Sequence, residues 1–166
     1  IESAALLTGG TLRGARIALR VELPAGLPDV LAVGVMAEQV FVNLLLNAYD
    51  ALVERPPGSL RRIDLAAEAG EGCVVVRVAD TGGGIAPSAL DRLFEPLFTT
   101  KGHDKGTGLG LPICHAAMRS FGGSITALNR GEGAEFTLVF RAAPEAAPRD
   151  RDRRPECIGA SSLTAA

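Results

Sequence analysis

Long hydrophobic runs are missing from this chain. No stretch approaches the ~18–20 consecutive apolar residues that a membrane-spanning helix needs, so no membrane contact is expected of it. No charged-then-apolar leader opens the sequence, and the start at Ile1 without Met points to a piece of something longer. An excess of positive charge is also absent. Seventeen Lys and Arg are scattered against 19 Asp and Glu, for a net charge of −2, which argues against nucleic acid as a partner. Cysteine is scarce: Cys73, Cys114 and Cys157 are odd in number and without CxxC spacing. They read as reduced thiols of a cytoplasmic protein, whether free-standing or the cytoplasmic part of a membrane-bound one, not as a disulfide frame or zinc site. The phosphate-loop string GxxxxGK(S/T) does not occur, nor does regular βαβ alternation, so a P-loop or doubly wound fold is excluded.

What is present suits one globular domain. At 166 residues, 47% hydrophobic and 22% charged, the chain can bury a real core. Residues 16–23 (RIALRVEL) alternate as a strand does and stop at a proline; Val30 to Val33 suggests a short second one. A helix is expected over Met36–Leu52, strands over Arg62–Ala69 and Cys73–Ala79, and a short helix over Pro87–Leu93, where Pro87 suits a first turn. Helical spacing returns over Leu109–Phe121 and ends at Gly122-Gly123, followed by a hairpin of Ser124–Asn129 and Ala134–Arg141. Helices on one face of a mixed sheet, an α/β two-layer sandwich, is the architecture this order implies. Residues 1–141 form the domain in this reading. Residues 142–166, rich in Ala, Pro and balanced charge, are expected to be a disordered tail or linker.

Polar residues gather in four places. On the helix over Met36–Leu52, the 3.6-residue repeat puts Gln39, Asn43, Asn47 and Asp50 within about a quarter of the circumference. Val40, Phe41, Leu44, Leu45, Ala48, Ala51 and Leu52 take the opposite side. An amide oxygen such as that of Asn47 can ligate a hard cation without adding charge; the lesser alternative is that Asn43 and Asn47 merely solvate one helix face. Asp50 is as well suited to capping or water bridging as to a phosphate-side role. Asp80 ends an apolar strand and meets Thr81-Gly82-Gly83-Gly84, a turn through which backbone can pass close to a flat ligand. Gly106-Thr107-Gly108-Leu109-Gly110-Leu111 lies where irregular chain enters a helix, and the free N–H groups there form an anion site. Between them, Phe94 and Phe98 are spaced to anchor a lid, Thr99, Thr100 and Lys101 follow, and the residues from Gly102 to Gly106 are expected to be mobile.

Taken in order, QVFVNLLLNAYDAL, DTGGGI, LFEPLFTTK and GTGLGLPI resemble the catalytic, ATP-binding domain of bacterial sensor histidine kinases. That family lies within the superfamily of gyrase, Hsp90 and MutL, and the likeness covers roughly residues 12–141. The resemblance implies the Bergerat-type ATP-binding fold. It implies that Asn47 coordinates Mg²⁺ on the phosphates of ATP and that Asp80, Gly82 and Gly84 match the family's adenine-side motif. It extends the ATP-binding set to Asn43, Asp50, Ile85, Phe94, Thr99, Thr100, Lys101, Gly106, Thr107, Gly108, Leu109, Gly110 and Leu111. Implied partners are a histidine-bearing dimerisation domain of the same parent protein and a cognate response regulator.

Position 43 separates the readings. Hydrolysing members of the superfamily carry a water-activating glutamate there, whereas an amide has no useful basicity near neutral pH. The residues therefore favour transfer to an acceptor supplied from outside. An ATPase switch, a regulatory nucleotide-binding module and a serine-directed kinase of the anti-sigma type are the alternatives. Neither His103 nor His115 has an acidic neighbour in a helical setting, so the acceptor histidine is expected elsewhere and no catalytic residue is assigned within the chain.

Overall fold

The computed structural model describes residues 1–100 and 106–144. Two hairpins build the sheet. In β2 (Arg62–Gly70) and β3 (Cys73–Asp80), Ile63, Leu65, Ala67, Val74, Val76 and Val78 all point to one face, and that face is buried. The strands pair antiparallel from Ile63 opposite Asp80 to Gly70 opposite Cys73, so a period-two pattern becomes one apolar surface. β4 (Ser124–Arg130) and β5 (Gly133–Arg141) repeat the arrangement, with β5 joining β3 antiparallel. β1 (Ala18–Glu22) adds a parallel edge to β2, giving a mixed sheet in the order β1-β2-β3-β5-β4.

Helices cover the apolar face. In α2 (Gly34–Val53), Val40, Phe41, Leu44, Leu45, Ala48 and Leu52 are buried against the sheet. Phe140 of β5 stacks on Phe41 at 6.1 Å and on Phe121 at 6.4 Å, ring centre to ring centre. Each such pair contributes about 0.5–1.5 kcal/mol beyond its buried area. α4 (Gly110–Ser120) closes the layer with Cys114, Ala117 and Met118, and stops where expected. Gly122 takes φ +68°, Gly122 N–H bonds Arg119 O, and Gly123 N–H bonds Met118 O at 2.9 Å, a Schellman cap. The opposite face is polar, with Arg62–Asp64 and Arg77–Glu68 pairs that solvent screens and an Arg130–Glu135 pair whose carboxylate is buried.

The structure differs from the sequence expectation at four places. A helix, α1 (Glu2–Gly14), precedes β1, despite Gly9 and Gly10 inside it. Ala4 and Leu12 bury completely in the shared core, where α1 packs on α2, and Thr8 Oγ1 donates to Ala4 O. Tertiary packing thus outweighs the roughly 1 kcal/mol per glycine of poor helix propensity. Its Schellman cap has Arg16 (φ +57°) where glycine is usual, which is why the boundary gives no sequence signal and β1 starts later than residue 16. Val30 makes one isolated bridge, to Ala142, instead of a strand, because the Pro/Gly loop around it offers no repeat. The short helix α3 (Pro87–Leu90) ends before Leu93, and the chain continues as single turns to Phe98. Ala142 and Ala143, expected in the tail, are hydrogen-bonded to Gly72 O and Asp29 O; residues 145–166 lie outside the described residues. Among the described residues no helix is long and apolar enough to cross a membrane.

Candidate nucleotide site

A cavity of about 420 Å³ opens where α2, the end of β3 and the start of α4 converge. That volume is in the range for a small-molecule site. Asn47 and Asp50 reach it from α2, one turn apart on the polar side of a helix whose other side is committed to the core. Asp80 enters from the end of β3, and Gly84 and Ile85 from the turn after it. Thr99, Thr100, Gly106, Thr107, Gly108, Gly110 and Leu111 complete the far wall.

Four of the expected residues stand outside that lining. Asn43 turns toward α4, with its amide Nδ2 donating to Gly110 O (3.4 Å) and Cys114 Sγ (3.7 Å) while its Oδ1 accepts from Gln39. Gly82 sits behind the wall, where a Cβ would lie 2.6 Å from that of Ala51. Phe94 stacks on His115 at 5.2 Å and packs on the core, so this histidine serves packing. Leu109 is the N-cap of α4. Lys101, His103 and most of the expected mobile segment, Gly102 to Lys105, lie outside the described residues. The sequence reading missed the apolar wall of Ala86, Leu93, Pro112, Ala134 and Phe136, which Phe98, expected there as a lid anchor, completes. Ala134 and Phe136 alternate inward on β5, within the strand expected over Ala134–Arg141. Arg92 lies over the Phe98 ring at 4.4 Å.

The two ends of the cavity differ in charge. At one end the Asp80 carboxyl is pushed above the usual carboxylate range because burial penalises its ionised form. Gly82 N–H (2.7 Å) and Ala134 N–H (3.4 Å), both donating to Oδ1, offset that only in part. At the other end α4 begins without a side-chain cap, and among the described residues Thr107 Oγ1 accepts the N–H of Leu109 alone, at 3.4 Å. The first-turn amides of Gly110 and Leu111 therefore retain capacity for an anion, and Pro112 in that turn has no N–H to leave unmet. Beneath Asn43, burial pushes the Cys114 thiol up to about 11. Gly108 (φ +64°) passes so close to Leu97 that a Cβ would sit 2.5 Å from its carbonyl carbon, and Leu97 N–H bonds Gly108 O at 3.0 Å.

Known proteins match both the sequence and the fold. Residues 33–144, more than half the chain, match the family model described as histidine kinase-, DNA gyrase B-, and HSP90-like ATPase. The two-component sensor PprA of Pseudomonas aeruginosa is 46% identical over 153 residues, covering 90% of this chain and 16% of its own length. The sensor histidine kinase ZraS of Escherichia coli is 41% identical over 74% of this chain and 25% of its own. The chain thus spans a quarter or less of these relatives. Among solved structures, the catalytic domain of histidine kinase ThkA superposes with a TM-score of 0.74 at 30% identity, covering 85% of this chain and 89% of that one. Full-length ShkA in complex with AMPPNP gives 0.72 at 30% identity, over 86% of this chain and 29% of that one. With a mixed sheet of the same kind, motifs in the same order and a cavity where they meet, the chain belongs to the histidine kinase-, DNA gyrase B- and HSP90-like ATPase family, and within it resembles the catalytic domains of sensor histidine kinases.

Proposed function

We propose that the cavity binds Mg-ATP and that this domain transfers the γ-phosphoryl group to a histidine on a separate dimerisation domain, in cytoplasmic two-component signalling. The observation that carries this reading is the polarity of the cavity. A desolvated carboxylate, Asp80, stands at one end, and an uncapped helix N-terminus stands at the other beside the amide of Asn47. Asp80 suits the exocyclic amine of adenine; the amides of α4 suit phosphate oxygens. Asn47 would hold Mg²⁺ through its side-chain oxygen. No group of three or more His, Cys, Asp or Glu able to hold a metal exists among the described residues, so a cation here would draw most of its ligands from phosphate and water. When bound, Mg²⁺ supplies charge neutralisation on the phosphates. The chain's own residues orient the nucleotide and exclude water, which is the larger part of phosphoryl-transfer catalysis.

Asn43 supports transfer over hydrolysis. Its amide is tied to Gly110 and Gln39 and cannot take a proton from water. Around the mouth, Leu97 (72% exposed), Leu109 and Ile113 (50% exposed) offer apolar surface to an incoming acceptor domain. The relatives named as two-component sensors extend the proposal to a response regulator as the next acceptor.

Incubation with γ-labelled ATP, alone and with a separately made histidine-bearing domain, tests the reading. Acid-labile label should appear on the added domain only, and Asn47→Ala should abolish it together with Mg²⁺-dependent binding of an ATP analogue. Label on the chain alone would sink the proposal, and rapid phosphate release without acceptor would favour an ATPase switch.

A further inference from the structure

Among the described residues, the turn that borders the Asp80 end is held locally only at Gly82, whose N–H bonds Asp80 Oδ1 at 2.7 Å. Gly82, Gly83 and Gly84 supply no side chains, and Gly83 and Gly84 both take positive φ, +97° and +77°. Beyond Gly82, which Ala51 of α2 also backs, its order comes from the β4–β5 hairpin. Asn129, on β4, meets Ile85 with both halves of its amide: Oδ1 accepts the N–H of Ile85 at 2.7 Å, and Nδ2 donates to the carbonyl of Ile85 at 2.8 Å. This is the pattern by which one strand residue pairs with another, made here by a side chain 44 positions away. Gly84 lies against the same oxygen, which would be 2.8 Å from a Cβ at that position. Gly83 N–H bonds Glu132 O at 2.8 Å, which fixes the other side of the turn to the same hairpin.

Resting on the nucleotide reading above, we propose that Asn129 is a positioning residue for base recognition, holding Ile85 and the glycine turn in the register that presents Asp80 to the base. The chemistry at position 129 is narrow. A side chain there must offer a donor and an acceptor about 2.2 Å apart in one plane, as a primary amide does. Aspartate keeps the shape but turns a second acceptor on the carbonyl of Ile85; alanine removes both bonds. Neither change touches the phosphate end, where Asn47 and the start of α4 stand on other elements. Asn129 does not line the cavity, so it acts through Ile85 and Gly84, which do.

The test is the affinity of wild type, Asn129→Ala and Asn129→Asp for three probes: an ATP analogue, a GTP analogue and Mg-tripolyphosphate. Preference for the adenine over the guanine analogue should fall about tenfold in both variants, the scale of one or two net hydrogen bonds. Affinity for tripolyphosphate should stay unchanged. A general loss of structure would instead weaken all three probes together and overturn the inference. So would an unchanged base preference in a wild type that does bind. A wild type that binds tripolyphosphate but no adenine probe would refute the adenine reading itself. Amide exchange, read without any ligand, is the second arm. Ile85 and Gly83 should exchange about tenfold faster in Asn129→Ala while Ile125, in the same strand, does not change; equal rates at Ile85 would refute the anchor.

Discussion

The two glycine turns bordering the cavity are built to opposite standards. The first, residues 82–84, is fixed from every side: by Ala51 of α2, by Asn129 and Glu132 of the hairpin, and by the carboxylate of Asp80 accepting from its first amide. Among the described residues, the second, from Gly106 to Gly110, is tied by the Leu97–Gly108 pair and by two long contacts of 3.4 Å, Leu109 N–H to Thr107 Oγ1 and Asn43 Nδ2 to Gly110 O. Under the nucleotide reading proposed above, the difference assigns base recognition to the first turn and phosphate binding to the second. A flat base is distinguished by a donor or acceptor placed within tenths of an ångström, which demands a rigid frame. Phosphates are held by charge and by amides that can each shift a little, and a loosely held turn suffices.

The largest effect that could break this contrast is at Gly133. A Cβ there would lie 1.7 Å from the backbone oxygen of Asp80, closer than any real contact, and the opposing atom is backbone that cannot rotate away. Gly133→Ala must therefore displace the hairpin from β3 and with it Ala134, whose N–H bonds Asp80. The expected loss is at or above the upper end of the ~1–3 kcal/mol typical of overpacking. Urea unfolding followed by circular dichroism measures it. A midpoint close to wild type would mean that the first turn is not the rigid element described here.

Asp80→Asn is the next in size and separates stability from recognition. Because the folded carboxyl titrates above the ordinary 3.8, its contribution to stability is fully present below that value and is lost as pH rises through the folded one. At pH 7 the ionised group therefore works against the fold. The amide variant, which keeps an acceptor for Gly82 N–H, should melt higher than wild type at pH 7, and the advantage should vanish near pH 3. Binding moves the other way: the contact with adenine should weaken by about 1.5–3 kcal/mol, the range for hydrogen bonds to a charged group. Scanning calorimetry at both pH values and titration with an ATP analogue give the two numbers. Equal melting at pH 7 contradicts the desolvation account; equal binding contradicts the base assignment.

How legible these features were in the sequence follows from how local their causes are. The polar and apolar sides of α2 could be drawn because a helix repeats every 3.6 residues, and Asn47 and Asp50 reach the cavity as that geometry requires. The four hairpin strands were equally plain, since alternation survives into the buried sets Ile63-Leu65-Ala67 and Phe136-Leu138-Phe140. α1 was not legible, because its helicity depends on burial against α2 and its cap on an arginine in a glycine's conformation. Asn129 left no trace either. An asparagine in a strand of mixed polarity means nothing until the turn 44 residues earlier has folded onto it. Asn43 marks the boundary: its place beside Gln39 follows from the helical repeat, but its turn toward Gly110 and Cys114 depends on where α4 docks.

The smallest expected effect is at Gly110, and it sharpens the comparison by its smallness. Gly110 opens α4, its φ is not positive, and the nearest atom to an added Cβ would be Asn43 Cγ at 3.9 Å, an ordinary contact. Alanine there gains helix propensity, worth up to ~1 kcal/mol in a helix interior and less in a first turn. It keeps the first-turn N–H at a position that lines the cavity. Two residues earlier the same substitution would fail, since Gly108 has φ +64° and Leu97 backbone in the way. Gly110→Ala should therefore melt within ~2 °C of wild type, about 0.5 kcal/mol for a chain of this size. Affinity for Mg-tripolyphosphate should stay within about threefold, because the added methyl removes no donor. A drop of more than ~5 °C would show that the start of α4 is as tightly fitted as the first turn, and the division between a rigid base end and an adjustable phosphate end would have to be abandoned.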